Sequence, residues 1–405
     1  MPLTPSNDPD IALAEEWLGE LEAWLDAHGT AGPDPFDVKA HPALRALQEQ
    51  PFLRRASTVL CDWAPHLSRR LLRVAPSENP KTHALLAIGK LRLFQLTGDG
   101  PFLEGAAARL QWLLDHRNTA FQGLCWGYPF ALKAQGLDTA PGAPVCVIGA
   151  IAGEAFLLAH EITGEQRWRD AAEAIAAHFL EEVPCYRASD RACCFCYGAS
   201  DGRRVHNVNL LVARHLLEVA VLTGDESMAR RAIGAVQFSL DAQRADGAFP
   251  YGHALPGEPF EEALLALVDH HHTGFVLRSL VAINRHAENK IIAAALRRGY
   301  AYYRTNLCGP DGMPRSEHAV YPVNIHACAE AILCPAVLAS EMMGARKQAV
   351  SALRWAWANL RDPATGAPWY RKYRRFTSKI VHPRWGVAWT YRALAEYLWR
   401  AGAAK

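Results

Sequence analysis

A charge imbalance is the first thing this chain lacks: 43 basic residues stand against 41 acidic ones, a formal net charge of +2. Such a balance offers no broad pull toward nucleic acid or an anionic membrane. No apolar run has the uninterrupted length of a bilayer span, and residues 1–16 are acidic where a secretory leader would be basic and then apolar. The expectation is a cytoplasmic protein with no membrane span and no nucleic-acid partner. Metal-ligand spacings are also missing. Cys193, Cys194 and Cys196 cluster, but Cys194-x-Cys196 is tighter than a zinc knuckle and no second pair accompanies it. The ten cysteines therefore read as free thiols, with no metal and no cofactor. Strand signals are few and short. Segments 193–197 and 247–252 suggest small β-hairpins in loops, which leaves no material for a sheet-based fold.

What the sequence has is apolar content, 50% of residues, and a repeat. An apolar helical run, a Thr-Gly pair and a second helical run recur at Thr97-Gly98, Thr163-Gly164 and Thr223-Gly224, 66 and then 60 residues apart. Weaker echoes follow at His286 and Gly344, and the chain ends beside Gly402. In segment 149–161 small and apolar residues cover most of the helix, so it reads as buried, and Gly164 supplies the left-handed stop. Segment 168–180 alternates apolar residues with Arg, Asp and Glu at helical spacing and reads as amphipathic. One buried and one half-exposed helix per repeat, about six times over, predicts an all-α fold, an (α/α)6 toroid of helical hairpins. It occupies residues 1–405 as one domain, with 1–40 as an N-terminal helix and loop lead-in.

The Thr-Gly turns fall on one rim of such a toroid. Longer connections on the other rim carry the chemistry-bearing residues: segments 123–130, 193–209, 246–255, 309–327 and 363–376. Every one contains Tyr or Trp. Flat aromatic faces suit sugar C–H groups, while Asn, His and Arg serve hydroxyls and carboxylates. Trp126, Tyr128, Tyr197, Asn207, Asn209, Tyr370, Arg384 and Trp385 are the substrate-binding candidates, expected to converge on one bowl. The plain alternative for each aromatic is that it plugs the barrel, and for Arg384 a structural ion pair. The catalytic candidates are Asp269, His272, His326, Tyr251 and Tyr321. Asp269 reads as a helix N-cap, and His272 three residues later shares its face, the arrangement that tunes an imidazole base. Three consecutive histidines, His270 to His272, are expected to point apart and so not to hold a metal.

The ordered motifs "YG…HNVN", "QRADGAFPYG", "DHHHTGF", "YPVNIHACAE" and "RWGVAW" resemble those of bacterial VpsJ-like polysaccharide biosynthesis proteins. That resemblance spans residues 126–389. It implies the six-hairpin superfamily that includes glycosidases, polysaccharide lyases and the helical domain of glucuronyl C5-epimerases. Asn324 and Glu330 stand where related patterns more often have Asp and Gln, which displaces a carboxylate that a two-acid hydrolase would use.

The functional expectation is an enzyme of bacterial surface or exopolysaccharide production acting on an oligo- or polysaccharide that contains uronate. Epimerase or lyase chemistry ranks ahead of glycoside hydrolysis. A non-catalytic glycan-binding protein uses the same aromatic bowl equally well. A zinc thioether cyclase of the lanthionine-synthetase kind ranks last, because no Cys-His dipeptide occurs anywhere.

Overall fold

The computed structural model describes residues 7–45, 50–134, 137–255, 258 and 265–402. Residues 1–6, the start of the expected lead-in, lie outside them. Two compact units account for the chain. One comprises Leu113–Gly127 with Gly142–Cys308, and the other comprises Met1–Trp112, Tyr128–Pro141 and Gly309–Lys405.

The central unit, built on Gly142–Cys308, shows the repeat most plainly. Helices Cys146–Thr163, His206–Thr223 and His270–Ala287 are buried over most of their circumference. Each is followed by a helix buried on one face only: Gln166–Glu181, Glu226–Asp241 and Lys290–Asn306. The His206 helix packs between the Cys146 and His270 helices. Gly153 lets two of these helices close up, since a Cβ there would meet the His215 ring at 2.4 Å. His215 in turn reaches the Ala172 carbonyl of the outer layer at 2.9 Å.

The Thr-Gly phrase has a local cause. Gly164 and Gly224 take left-handed φ values of 70° and 78°, and their N–H groups close the last turns on His160 and Ala220. Thr163 and Thr223 hydroxyls donate back to the Ala159 and Val219 carbonyls at 2.8 and 2.9 Å. Thr97 and Gly98 do the same in the other unit, with the Leu93 carbonyl and a φ of 70°. The weaker echoes are different structures. Glu288, not a glycine, takes the left-handed position after the His270 helix, with φ 46°. Gly344 starts the helix Ala345–Leu360 instead of ending one.

In the other unit, helix Pro80–Thr97 packs on Ala388–Gly402, which also packs on Ile325–Leu338 and on Pro9–His28. The N-terminal helix thus partners the last one. A five-residue π turn, Pro383–Val387, leads into the final helix.

Strands are short. Cys193–Phe195 pairs antiparallel with Cys185–Arg187, a hairpin near the one expected. Gly252–His253 pairs instead with Arg204–Val205, so the 247–252 segment clips two loops together and makes no hairpin of its own. Segment 363–376, expected as plain loop, contributes Trp369–Lys372 to a three-stranded sheet with Thr377–Val381 and Val323–Asn324. One helix among the described residues, Cys146–Thr163, has the length and mean hydropathy, 1.5, of a membrane span, although Glu154 and Glu161 interrupt its apolar run. It is 67% buried within the fold, and its Glu154 pairs with Arg214 of the His206 helix. Packing as an inner helix accounts for its apolar character.

Candidate functional site

In both units, polar and aromatic side chains gather at the first turns of the buried helices. The expected site residues fall into two groups, one in each unit.

The central unit holds Tyr197, Asp201, Arg203, Asn207, Tyr251, Asp269, His271 and His272. The pairing of Arg204–Val205 with Gly252–His253 aligns their loops, and the His206 N–H donates to the Tyr251 carbonyl at 2.9 Å. Asp269 caps the His270 helix: its Oδ1 accepts the His272 N–H at 2.9 Å. The same carboxylate accepts from His272 Nδ1 through Oδ2 at 2.8 Å. Cap and imidazole partner are therefore one residue. Burial alone would raise the Asp269 pKa. The His271 and His272 imidazoles, with the hydrogen bonds from His272, override it and hold the carboxyl well below the usual range. With Nδ1–H committed to Asp269, neutral His272 carries its lone pair on Nε2. The Tyr251 ring lies 4.5 Å from the His272 ring. Burial, then Tyr197, push its hydroxyl above the usual phenol range, so it stays a proton donor.

His271 and His272 do not point apart as expected. Their rings lie 4.0 Å from each other, and His271 Nδ1 is 3.4 Å from Asp269 Oδ1. The cap carboxylate draws both imidazoles to one side. Ligand atoms of Asp269, His271 and His272 lie within 4.8 Å of one another, close enough to hold a metal ion. His270 turns inward to Tyr303 and Cys308, and burial brings its pKa to about 3.

Asn207 and Asn209 part company. Asn209 is fully buried. Its Oδ1 accepts from the Phe195 N–H at 3.0 Å, and its Nδ2 donates to Ala235 O at 2.7 Å and Ser239 Oγ at 3.0 Å. Its amide is occupied inside the fold, unlike that of a side chain held ready for substrate. Asn207 is only 4% exposed, yet its Oδ1 is buried without a hydrogen-bond partner. Trp126 is likewise a core residue: it is 1% exposed, donates to Leu113 O at 2.8 Å and stacks on Phe156. Tyr197 carries the Arg203 guanidinium 4.5 Å above its ring, and Asp201 grips Arg203 through both carboxylate oxygens.

The other unit holds Lys81, Tyr128, His326, Tyr370, Arg384 and Trp385. Arg384 spends Nε and Nη2 on Asp34 in a buried ion pair. The structural alternative to a substrate clamp is the one seen for those two nitrogens. Burial alone would raise Asp34, but the Arg384 charge and hydrogen bonds bring it below the usual carboxylate range. His326 is sandwiched by rings, 4.5 Å from Trp385 and 4.6 Å from Trp389. Tyr370 is 2% exposed and packs edge-on against His382, 4.7 Å away. Tyr321 is 38% exposed, in the loop before the Ile325 helix. Asn324 caps that helix through the Ala327 N–H at 2.8 Å.

Sequence reasoning missed Lys81. It lies in the first turn of the Pro80 helix, 6% exposed, with Nζ donating to the Tyr128 hydroxyl at 2.8 Å. A lysine just ahead of the apolar run at 84–88, immediately after the Asn79-Pro80 start signal, was the available clue. The cysteine cluster gains a fourth member, Cys185, whose thiol hydrogen-bonds to that of Cys193. Cys193, Cys194 and Cys196 thiols approach the carbonyls of Arg231, Phe195 and Gly202 respectively.

No protein-family profile matches the sequence, and no curated protein does. Solved structures do. A sugar epimerase from a ruminal bacterium matches with a TM-score of 0.61 at 12% identity, covering 79% of this chain and 87% of that one. Cellobiose 2-epimerase from Bacillus thermoamylovorans matches with a TM-score of 0.61 at 11% identity over the same shares. The unsaturated glucuronyl hydrolase of a Bacillus species, responsible for glycosaminoglycan degradation, covers 94% of this chain and 95% of its own at 15% identity, with a TM-score of 0.61. At such identities the likeness shows the fold, and the fold is an all-α (α/α)6 toroid with small β-hairpins in its loops.

Proposed function

We propose that this protein acts on a carbohydrate by moving a proton at carbon, as a sugar epimerase or isomerase, with His272 as the base. The observation that carries the proposal is the Asp269–His272 pair at 2.8 Å beside the Tyr251 ring. A base that removes a C–H proton α to a carbonyl needs a fixed tautomer and a countercharge for the imidazolium it becomes. Asp269, ionised at any ordinary pH, supplies both. Tyr251 keeps its proton and can give a hydrogen bond to the enolate oxygen. Two fold neighbours are named as sugar epimerases and a third as D-mannose isomerase, which supports sugar as the substrate class.

Glycoside hydrolysis fits less well. A glycosidase keeps one carboxylic acid protonated by raising its pKa. Asp34, Glu78, Glu182, Asp246, Asp269 and Glu396 are all held below the usual carboxylate range by their hydrogen bonds and neighbouring charges. The uronate preference expected from the sequence calls for a cation to hold a carboxylate. Arg203 is paired with Asp201 and Arg384 with Asp34, so neutral sugars take precedence over uronates in this reading. The ordered motifs still favour polysaccharide biosynthesis as the setting. Ten free cysteines favour a reducing compartment such as the cytoplasm.

The test is solvent deuterium exchange into a panel of reducing mono- and disaccharides and uronate oligomers, read by NMR. Exchange at C2 of a reducing sugar supports the proposal, and exchange at C5 of a uronate restores the uronate version. His272→Gln should cost at least about 100-fold in exchange rate, the usual size of a general-base contribution, at an unchanged melting temperature. Full exchange in that variant removes His272 from the mechanism.

A further inference from the structure

Lys81 is a buried amine with an unusual set of neighbours. Its Nζ has one hydrogen-bond partner, the neutral Tyr128 hydroxyl at 2.8 Å, and it sits 5.2 Å above the Tyr128 ring. Among the described residues, no carboxylate is bonded to it. The acid that acts on it, Asp34, is taken by Arg384 through both oxygens. Arg384 presents a like charge to Lys81, with its guanidinium 5.1 Å above the same Tyr128 ring. Lys81 also lies in the first turn of the Pro80 helix, where the positive end of the helix dipole disfavours a cation. Burial, a neighbouring cation and a helix N-terminus all act in one direction. A lysine so placed has no structural ion pair to explain it, and its burial is costly unless the amine is neutral.

We propose that Lys81 and Tyr128 form a carbonyl-binding site, at which the Lys81 amine condenses reversibly with the aldehyde or ketone carbon of an open-chain sugar. The Nζ lone pair attacks the carbonyl carbon and a C–N bond forms. The C=O π pair moves to oxygen, which takes up a proton while the nitrogen loses one. The carbinolamine then expels its oxygen as water, and C=N replaces C–O. The net change is amine plus carbonyl giving imine plus water. Tyr128, the hydroxyl next to Nζ, relays the protons. Burial first, then the Arg384 charge, bring the Lys81 pKa well below the usual lysine value, which favours the neutral amine whose lone pair attacks. The assignment stands apart from the His272 reading, because the imine can be trapped without turnover.

The probe is glyceraldehyde with sodium cyanoborohydride and the full chain at pH 7, with modified peptides located by mass spectrometry. The chain has nine lysines, which makes the competition readable. Lys39, brought to about 8 by burial and by Arg371, is the internal comparator. Lys81 should be alkylated ahead of the other lysines, with a rate that levels off at a pH far below that of an ordinary lysine, about 10.4. Tyr128→Phe should slow the trapping several-fold. Lys81→Met, which keeps the volume and removes the amine, should lose that label and melt at or above the wild-type temperature. Labelling of Lys39 and the exposed lysines with Lys81 untouched overturns the proposal. So does a Lys81→Met variant that melts well below wild type, because that would make Lys81 a structural ammonium.

Discussion

Two residues apart on one helix, Asn207 and Asn209 illustrate how little a side chain's identity says about its task. Asn209 closes three hydrogen bonds, to Phe195, Ala235 and Ser239. Asn209→Ala strands a buried N–H and a carbonyl and should cost about 1–3 kcal/mol in urea unfolding. Asn207 holds a buried Oδ1 with no partner, so Asn207→Ala removes a desolvated atom and should leave stability within about 0.5 kcal/mol of wild type. Its effect belongs in the KM for sugar. Equal losses in the two variants would refute the division of labour. The sequence placed both amides among the substrate-binding candidates. Both lie in the first turn of the His206 helix, whose N-cap is Val205. Which amide is free depends on atoms 14 to 30 residues away, and that information is not local. Asp269–His272 was legible because both partners lie within one turn. Arg384–Asp34, 350 residues apart, was visible only as an unnamed ion pair.

At the scale of the element, the hairpin repeat was readable because its turn chemistry repeats. The left-handed residue after an inner helix is glycine at Gly98, Gly164 and Gly224, and the preceding threonine folds back on its own helix. The fourth turn breaks the pattern with Glu288 at φ 46°, which is why the repeat fades in the sequence just where the structure continues it. A Cβ in the left-handed region costs about 1–2 kcal/mol. Gly224→Ala should therefore lose about 1 kcal/mol or somewhat more, and Glu288→Gly should gain up to about 1 kcal/mol, each read as a shifted urea midpoint at constant slope. A Glu288→Gly variant less stable than wild type would mean that the glutamate side chain holds that turn by contacts of its own. The sheet containing Trp369–Lys372 was not legible. Its Pro- and Gly-rich lead-in reads as loop, and its partner Val323–Asn324 lies more than forty residues earlier.

Across the whole molecule, buried histidines make stability depend on pH. Burial brings His206 and His270 to about 3 and His215 to about 4 in the central unit, and His382 to about 3 in the other. In the unfolded chain each titrates near 6.5. Between the two values the unfolded state binds a proton that the native state refuses, so stability is complete above about pH 6.5 and falls as the pH drops. Each histidine contributes a slope of up to about 1.4 kcal/mol per pH unit. The depressed carboxyls, Asp34, Glu78, Glu182, Asp246, Asp269 and Glu396, add their loss mainly as the pH falls through the unfolded carboxylate range, near pH 4. The first stage of acid destabilisation should therefore be a histidine effect, visible as a falling melting temperature between pH 7 and pH 5. If the chain unfolds in one step, these four imidazoles should together take up nearly four protons on unfolding at pH 5. If the two units unfold separately, one transition should take up about three of them and the other about one. Calorimetry in buffers of different ionisation enthalpy counts these protons directly. His215→Gln should flatten the slope of the three-proton transition by one proton and leave the other untouched. A melting temperature independent of pH over that range would mean that these imidazoles are hydrated in solution, and the packing of the inner helices around them would have to be redrawn.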